Sequence, residues 1–470
     1  MRGDMGASSY WLKDAPVTEA IAHMAVSMML AMAATTIYMF TDTLFIGQLG
    51  DTDALAAVPL CIPFTSLVIA ISSFFEVGVC TLVSRSIGRG DGDKARRASA
   101  FGVRCGFVAG VVLTALSLAF MDPLLTVLGA NGTVRAQTAA YLSFYCLGAP
   151  IVVLNMVCSQ LVRSIGRSKE SMAGLVGSAL ANIALDPLFI FVLGFGVRGA
   201  AIATVASNGL AVAYYLFYIR KSDVLCIFNP GGGLAKHEVA EVSKVGISAT
   251  LMAALMGLSS LVFNNVAIMY GAAVVAAFGI AQNVVQLLDL VAMGLYEGVV
   301  PLIGGAYGAG DRKRLKAILV RTALLILAFA AAGCVLVIAG RDTILSWFTQ
   351  DGAVLEVGAL ILTAQVLSMV FEAGTGLITS TFQGCGKGLS ANVMSIGKGI
   401  ITMACIVSGN LLFGLDGVVW SLLASAGSTF LLGIVVAGLT MHGNKKPEES
   451  KGHAKQPRPS IQEKNEATAQ

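Results

Sequence analysis

The chain has 470 residues, of which 56% are hydrophobic and only 12% charged, with a mean hydropathy of +0.79 and a mass of 48.5 kDa. A soluble domain is about 45–50% apolar and about 25% charged, so disorder and a string of soluble domains are both excluded. There are too few polar groups to cover a surface of this size in water. At about 20 residues per spanning helix, the length accommodates roughly a dozen membrane crossings.

Apolar runs fall at 20–46, 54–84, 98–120, 137–163, 172–194, 199–219, 245–269, 272–304, 315–340, 353–382, 391–413 and 417–442. Twelve helices are therefore expected. The runs are continuously apolar and do not alternate, which favours helices over a barrel. The first run passes from Ala20 through Met39 into Phe40, Thr41 and Asp42, so it reads as a span, not a cleaved leader. Tyr10-Trp11-Leu12-Lys13 before it suits the interface. The nine cysteines lie mostly within apolar runs and form no CxxC, and there are four histidines. No structural metal or haem site is expected.

Charge sets the orientation. One set of loops carries Arg85, Arg89, Lys94, Arg96 and Arg97, then Arg163, Arg167 and Lys169, then Arg220, Lys221, Lys236 and Lys244, then Arg312, Lys313, Arg314 and Lys316, then Lys387. The other set holds Arg135, Arg198 and Arg341 among Asp51, Asp53, Asp342, Asp351 and Asp416. The positive-inside rule places the first set in the cytoplasm, and an even helix count then puts both termini there. The net charge of +4 is a topology signal with no implication of nucleic acid. The expected organisation is a cytoplasmic N-terminal segment 1–19, a first six-helix lobe 20–221, a cytoplasmic linker 222–244, a second lobe 245–442 and a disordered cytoplasmic tail 443–470.

The halves repeat. Gly88-Arg89-Gly90-Asp91 and Gly308-Ala309-Gly310-Asp311 lie 220 residues apart, each before a basic stretch. Leu55-Ala56-Ala57-Val58 matches Val275-Ala276-Ala277-Phe278 at the same offset, and Glu76 matches Glu297 within one residue. Gly196-Val-Arg-Gly199 matches Gly414-Leu-Asp-Gly417 at an offset of 218. Six helices per copy insert both copies the same way up. The fold class is thus an all-α integral membrane protein, with twelve transmembrane helices in two six-helix lobes related by a pseudo-two-fold along the membrane normal. Two such bundles with a cavity between them suit alternating access.

A charge at a helix centre costs about 2.5–3.5 kcal/mol on insertion scales, so the intramembrane ones need a reason. Tyr38 and Asp42 share a face of the first run, and Asn182 and Asp186 a face of the fifth, just before Pro187. With Asn155 in the fourth run and Thr204 in the sixth, they compose a candidate pocket for a proton, or for sodium. Two carboxylates held close in low dielectric cannot both carry charge cheaply. The plainer alternative has Asp42 at the outer interface and Asp186 satisfying backbone freed by Pro187. Glu76 and Glu297, symmetrically placed, read first as structural braces. Asp289 and Glu372 lie deeper in the second half, with Lys398 a candidate ion-pair partner, and Gln282, Asn283 and Gln286 are candidates to face a cavity. Eighteen Met and 22 Phe suit an adaptable apolar cavity. There is no GxxxxGK[ST], no HExxH and no nucleophile elbow, so an ion gradient would have to supply the energy.

Several stretches together resemble one family. Thr41-Asp42-Thr43-Leu-Phe-Ile-Gly47-Gln-Leu-Gly50 is similar to the first-helix signature of the multidrug and toxic compound extrusion (MATE) transporters. Asn182-Ile-Ala-Leu-Asp186-Pro187-Leu-Phe-Ile190 resembles their fifth-helix motif, and Gly199-Ala-Ala-Ile-Ala-Thr204 their sixth. Pro301-Leu-Ile-Gly-Gly-Ala-Tyr-Gly308-Ala-Gly310 resembles the end of their eighth. The likeness spans about residues 20–440 and looks most like the DinF-like and archaeal branch. It implies a two-lobe exporter of small amphipathic or cationic organic compounds, coupled to a cation and carrying no cofactor. By motif match, Asp42, Asn155, Asn182, Asp186 and Thr204, with Tyr38 beside Asp42, take the amino-terminal-lobe cation and proton positions. Glu372 sits where some members carry a tenth-helix acid. The seventh helix, Val245 to Met269, has no acid, unlike members that use one there for sodium. That departure speaks against a sodium site in the second lobe and favours coupling through the first; the expected coupling ion is a proton before sodium. The expectation is a monomeric, multi-pass protein of the plasma (cell inner) membrane. A lipid-linked oligosaccharide flippase would want more cations in its cavity than Lys398, and a membrane-embedded enzyme would want a nucleophile or metal set.

Overall fold

The computed structural model describes residues 10–50, 52–228 and 232–442. The tail 443–470 and residues 1–9 of the N-terminal segment lie outside the described residues. Hydrocarbon offers the backbone no hydrogen-bond partners, so each crossing segment must satisfy its own. The described chain does so in helices: α1 Val17–Gly47, α2 Thr52–Arg89, α3 Gly92–Ala119, α4 Val134–Ser164, α5 Ser168–Pro187, α6 Val197–Lys221, α7 Lys236–Ala267, α8 Ala272–Gly298, α9 Arg312–Phe348 and α10 Gly352–Gly384. Pro301 interrupts α8, which resumes as Val300–Gly308. A short helix Met121–Val127 joins α3 to α4. α7 starts at Lys236, so the last part of the 222–244 stretch is helical.

Among the described residues eleven helices are long and apolar enough to span, and the last of them runs from Gly388 to Thr440 over 53 residues. At about 1.5 Å per residue that is far more than one bilayer. The helix Gly388–His442 leaves helical geometry at Gly414, with φ 60° and ψ −137°. Gly397 packs on Leu432, and Gly433 on Met394, so the chain doubles back there. α11 is then 388–413 and α12 is 415–442, giving twelve spans. Gly196, the repeat partner of Gly414, has nearly the same backbone, φ 56° and ψ −135°. Positive φ is inexpensive only for glycine, which is why this residue marks the same corner in both copies.

The other repeated motif is a helix stop followed by a helix start. Gly90 (φ 79°) and Gly310 (φ 74°) are left-handed. Asp91 N–H donates to Ser86 C=O at 2.9 Å and Asp311 N–H to Ala306 C=O at 3.1 Å, the pairing that closes a helix C-terminus. Each Asp then caps the next helix, accepting from Lys94 N–H and Arg314 N–H at 2.9 Å. A cap of this kind stabilises by about 1 kcal/mol.

Within the first half α2, α3 and α6 pack on α4, and α1 packs on α5. In the second half α8, α9 and the α11–α12 hairpin pack on α10, and the hairpin on α7. Across the halves α1 meets α8 and α2 meets α7, the pattern a two-fold demands. The apolar core shows where the halves join. Val242, Ala292, Leu302 and Leu377 belong to one continuous core with the first half. Val274, Phe278, Ile361 and Val418, nearer the acidic loops, form a separate core. The molecule is therefore fused on the basic-loop side and divided on the other.

Glycine makes the fusion close. Gly88 lies against Gly305 and Ala309, and Gly308 against Arg85, backbone on backbone. Small residues permit such helix approach in membranes. Arg85, expected in a basic loop, is instead 3% exposed in this seam and pairs with Glu241 of α7 at 2.5 Å. Lys94 pairs with Glu238 at 3.1 Å. The Arg314 guanidinium donates to the carbonyls of Trp11, Leu12 and Ala15 at 3.1, 3.1 and 2.7 Å, tying the N-terminal turn to α9.

A side chain at either glycine would hold the halves apart. Gly88→Leu and Gly308→Leu should each speed amide exchange of segments 80–90 and 300–310 by at least about tenfold, equivalent to about 1.4 kcal/mol, with helix content unchanged. Hydrogen–deuterium exchange at wild-type rates in both variants would contradict the close approach.

Candidate functional site

Two polar regions stand out, and they are separate. The first lies inside the first half, toward the acidic-loop side. Pro187 lacks an N–H and crowds the carbonyl of Ile183, and the chain responds by widening into a π-helical turn, Leu188–Val192. Such turns occur often at functional positions. The turn sets Asp186 inward, fully buried. Asn182 Nδ2 donates to Asp186 Oδ1 at 3.3 Å. Phe45 of α1 meets Phe191 of the π-turn edge-on, with centroids 6.3 Å apart, which brings the Asp42 end of α1 to the Asp186 end of α5. Asp42 acts electrostatically on Asp186, Tyr38 on both, and Tyr141 of α4 on Asp42 and Tyr38.

Asn155 of α4 is buried and donates through Nδ2 to Asn208 Oδ1 at 2.5 Å. Asn208 in turn donates to the Thr204 carbonyl at 2.7 Å, which holds α4 to α6. Asn208 was not among the expected residues. Its signal is present, since it follows Thr204 by four residues on the same helix face. The region is short of donors: Asp42 Oδ1, Asn155 Oδ1, Asn182 Oδ1 and Asp186 Oδ2 are buried without a hydrogen-bond partner.

The second region is a cavity of ≈ 480 Å³ between the halves. Six methionines are in its walls: Met28, Met32, Met156, Met252, Met256 and Met293. None of Tyr38, Asp42, Asn155, Asn182, Asp186 and Thr204 lines it. Asp289, Glu372 and Lys398 do. Lys398 Nζ lies 3.7 Å from Glu372 Oε2, and both act electrostatically on Asp289. The expected ion pair is present and belongs to the cavity wall.

Gln282, Asn283 and Gln286, expected as candidates to face a cavity, lie outside this enclosed volume. They are exposed and absent from the cavity walls. Gln282 and Gln286 continue the helical stripe of Asp289 and Met293 toward the acidic-loop side, beyond the enclosed volume, and Asn283 is rotated about 100° off it. Glu76, Gln160, Arg163 and Glu297 also line the cavity, at its basic-loop end. Arg163 was expected in a loop, but it lies in the last turn of α4 and is 5% exposed. Its position after a long apolar run hid it, because a charge at a helix end reads as a loop charge.

Six charged side chains thus face an otherwise methionine-rich volume: Glu76, Glu297, Asp289 and Glu372 against Arg163 and Lys398. In the fully ionised state the acids exceed the bases. The arrangement suits an apolar body that carries positive charge. Among the described residues no group of three or more His, Cys, Asp or Glu is placed to hold a metal ion.

The family profile described as MatE matches residues 27–188 and 249–407, one stretch in each half. The multidrug export protein MepA of Staphylococcus aureus (strain bovine RF122 / ET3-1) is 33% identical over 432 residues, covering 92% of this chain and 95% of that protein. MepA of Staphylococcus saprophyticus is 33% identical over 415 residues, covering 88% and 92%. In fold, the chain resembles the outward-facing structure of a multidrug resistance MATE transporter of the MOP superfamily, with a TM-score of 0.84 and 22% identity over 93% of this chain and 98% of that one. The duplicated helical architecture, the profile match in both halves and the full-length relatives lead to one conclusion: the chain belongs to the MatE family, and it is a membrane transporter of the multidrug and toxic compound extrusion type, not an enzyme.

Proposed function

We propose that the protein exports small amphipathic or cationic organic compounds across the plasma membrane, in exchange for a proton taken up in the pocket of the first lobe. The surplus of acceptors carries the reading. Four buried oxygens on Asp42, Asn155, Asn182 and Asp186 have no donor, and each unsatisfied buried acceptor costs about 1–3 kcal/mol. A proton shared by the two carboxyls supplies the missing donor and removes one charge from low dielectric. A sodium ion among the same oxygens is the second reading, favoured by the amide oxygens of Asn155 and Asn182. No cofactor has a role in either.

The charge balance of the cavity supports cationic cargo, and its methionines support breadth, since thioethers adapt to many shapes. The names of the staphylococcal relatives, multidrug export proteins, point the same way. A lipid-linked oligosaccharide carries a pyrophosphate and would meet more acid than base there.

The cycle follows from the geometry. With the halves fused on the basic-loop side, which the positive-inside rule assigns to the cytoplasm together with both termini, the arrangement reads as outward-facing. Loading a proton between Asp42 and Asp186 changes what Tyr38 and Asn182 bond to and redraws α1 against α5. α1 also forms the seam, with Met24 and Ala25 against Gly298 and Met29 against Gly294. One helix thus links the pocket to the closure. The working unit in this reading is one chain, with lobes at 20–221 and 245–442 and the segment 222–244 linking them. A proton exchanged for a neutral compound moves one charge, which through 100 mV contributes about 2.3 kcal/mol, enough to sustain a concentration ratio of about fiftyfold; its exchange for a monocation is electroneutral and draws on the pH gradient alone.

Asp42→Asn and Asp186→Asn should each abolish ethidium efflux from energised cells while leaving membrane abundance unchanged. Wild-type efflux in both variants would overturn the mechanism. Asn208→Leu leaves Asn155 Nδ2 without its acceptor, and thermal unfolding should show a loss of about 1–3 kcal/mol. Asn155→Leu combined with it should cost less than the two single losses added, and strict additivity would contradict the bond.

A further inference from the structure

The basic-side end of the cavity carries an asymmetry that the duplication makes visible. Glu76 on α2 and Glu297 on α8 match across the repeat within one residue, and both line the floor. In the first half, Gln160 Nε2 bonds Glu76 Oε1, and Arg163 acts electrostatically on Glu76. Gly166 and Gly386, each left-handed, end α4 and α10 at an offset of 220 residues, so the repeat partners of Gln160 and Arg163 are Ser380 and Gln383. Both also line the cavity. The second half therefore has the carboxylate and no cation at the position equivalent to Arg163, its Lys398 being paired with Glu372. Arg163 acts electrostatically on Glu297 as well. Its side chain is 95% buried, being 5% exposed, meets Met28 Sδ through Nη1, and leaves Nε without a hydrogen-bond partner.

We propose that Arg163 is a counter-ion shared across the seam, so that Glu297 is neutralised only while the halves are closed on the basic-loop side, and is the carboxylate offered to the cationic group of a compound entering when they part. Arg163 and Glu76 both belong to the first half and travel together. Glu297 travels with the second half and leaves Arg163 behind. Asp289, Glu372 and Lys398 face the same cavity but all belong to the second half, so their relations to Glu297 do not change with the separation. Closure then sets the Arg163 attraction on Glu297 against the repulsion between Glu76 and Glu297, opening forfeits the attraction, and it exposes one unpaired carboxylate at the entry side. The inference rests on the alternating-access reading above, but it concerns a different site from the Asp42 pocket.

The test uses purified full-length protein in lipid nanodiscs with no gradient. Hydrogen–deuterium exchange in segments 80–90 and 300–310 reports closure, and segment 100–118 of α3 reports general loosening. Arg163→Gln should speed exchange in the first two segments by at least about tenfold and leave 100–118 unchanged. Arg163→Lys should stay near the wild type, and Arg163→Gln with Glu297→Gln should return toward it. Wild-type exchange in Arg163→Gln, equal acceleration in 100–118, or no recovery in the double variant would each overturn the shared counter-ion. Equilibrium dialysis with tetraphenylphosphonium reads the second half of the proposal. Binding should be at least about tenfold tighter in Arg163→Gln than in the double variant, and equal binding would remove Glu297 as the acceptor of the cationic group. Neither readout needs coupling to an ion. If both hold while the Asp42→Asn protein still exports, the coupling pocket fails and this inference stands.

Discussion

An oxygen acceptor in hydrocarbon must find a donor, and in the first lobe four of them do not. Helical backbone satisfies itself; side chains do not. The helices bring Asp42 and the Asn182–Asp186 pair together beside Tyr38 and Tyr141, with the apolar rings of Phe45 and Phe191 next to them, and Asn155 lies further along α4 against Asn208. The second copy has unpartnered oxygens of its own, on Thr322, Gln365 and Asn392, but none at the positions equivalent to these. At offsets of 218–220 residues the second copy has Leu258, Val262, Thr375, Ile400, Ala404 and Leu422 where the first has Tyr38, Asp42, Asn155, Asn182, Asp186 and Thr204. Duplication supplied two matching bundles, and only the first carries this set of acids and amides.

The symmetry that survives is mechanical. Gly88 and Gly308 bring the two halves into backbone contact, and Gly90-Asp91 and Gly310-Asp311 stop and restart helices in the same way. The contact between halves is a glycine seam reinforced by a few cross-half charges: Arg85 with Glu241 and Lys94 with Glu238. Apolar residues of both halves, Val242, Ala292, Leu302 and Leu377 among them, also join one core at this seam, whereas the core around Phe278 and Ile361 lies wholly within the second half and does not bridge the two. α1 is 31 residues long, about 46 Å at 1.5 Å per residue, and carries Asp42 near one end and Ala25 in the seam near the other. In the proposed cycle that continuity is the link between a proton on one side of the membrane and the closure on the other.

Much of this was legible in the sequence, because lipid imposes strong rules on it. Long apolar runs gave the spans, and the scarcity of intramembrane acids singled out Asp42, Asp186, Asp289 and Glu372. Four-residue spacing paired Asn182 with Asp186 and Tyr38 with Asp42, and the structure keeps both pairs in one region. What the sequence withheld is depth and rotation. Arg85 and Arg163 stand at helix ends, where a charge reads as solvated, yet both are buried, one in the seam and one in the cavity wall. Gln282, Asn283 and Gln286 have helical spacing that fits a cavity face, but spacing says nothing about where along a helix an enclosed volume ends. Asn208 was overlooked because an amide in α6 has little meaning until Asn155 is placed against it.

The central claim is that export is driven by a proton held between carboxyls of α1 and α5. Reconstituted protein, loaded with ethidium and given first an imposed pH gradient and then a sodium gradient of equal free energy, tests it most directly. The account predicts transport against the dye gradient under the pH gradient alone, silenced by a protonophore. Uphill transport that follows sodium at uniform pH would contradict it.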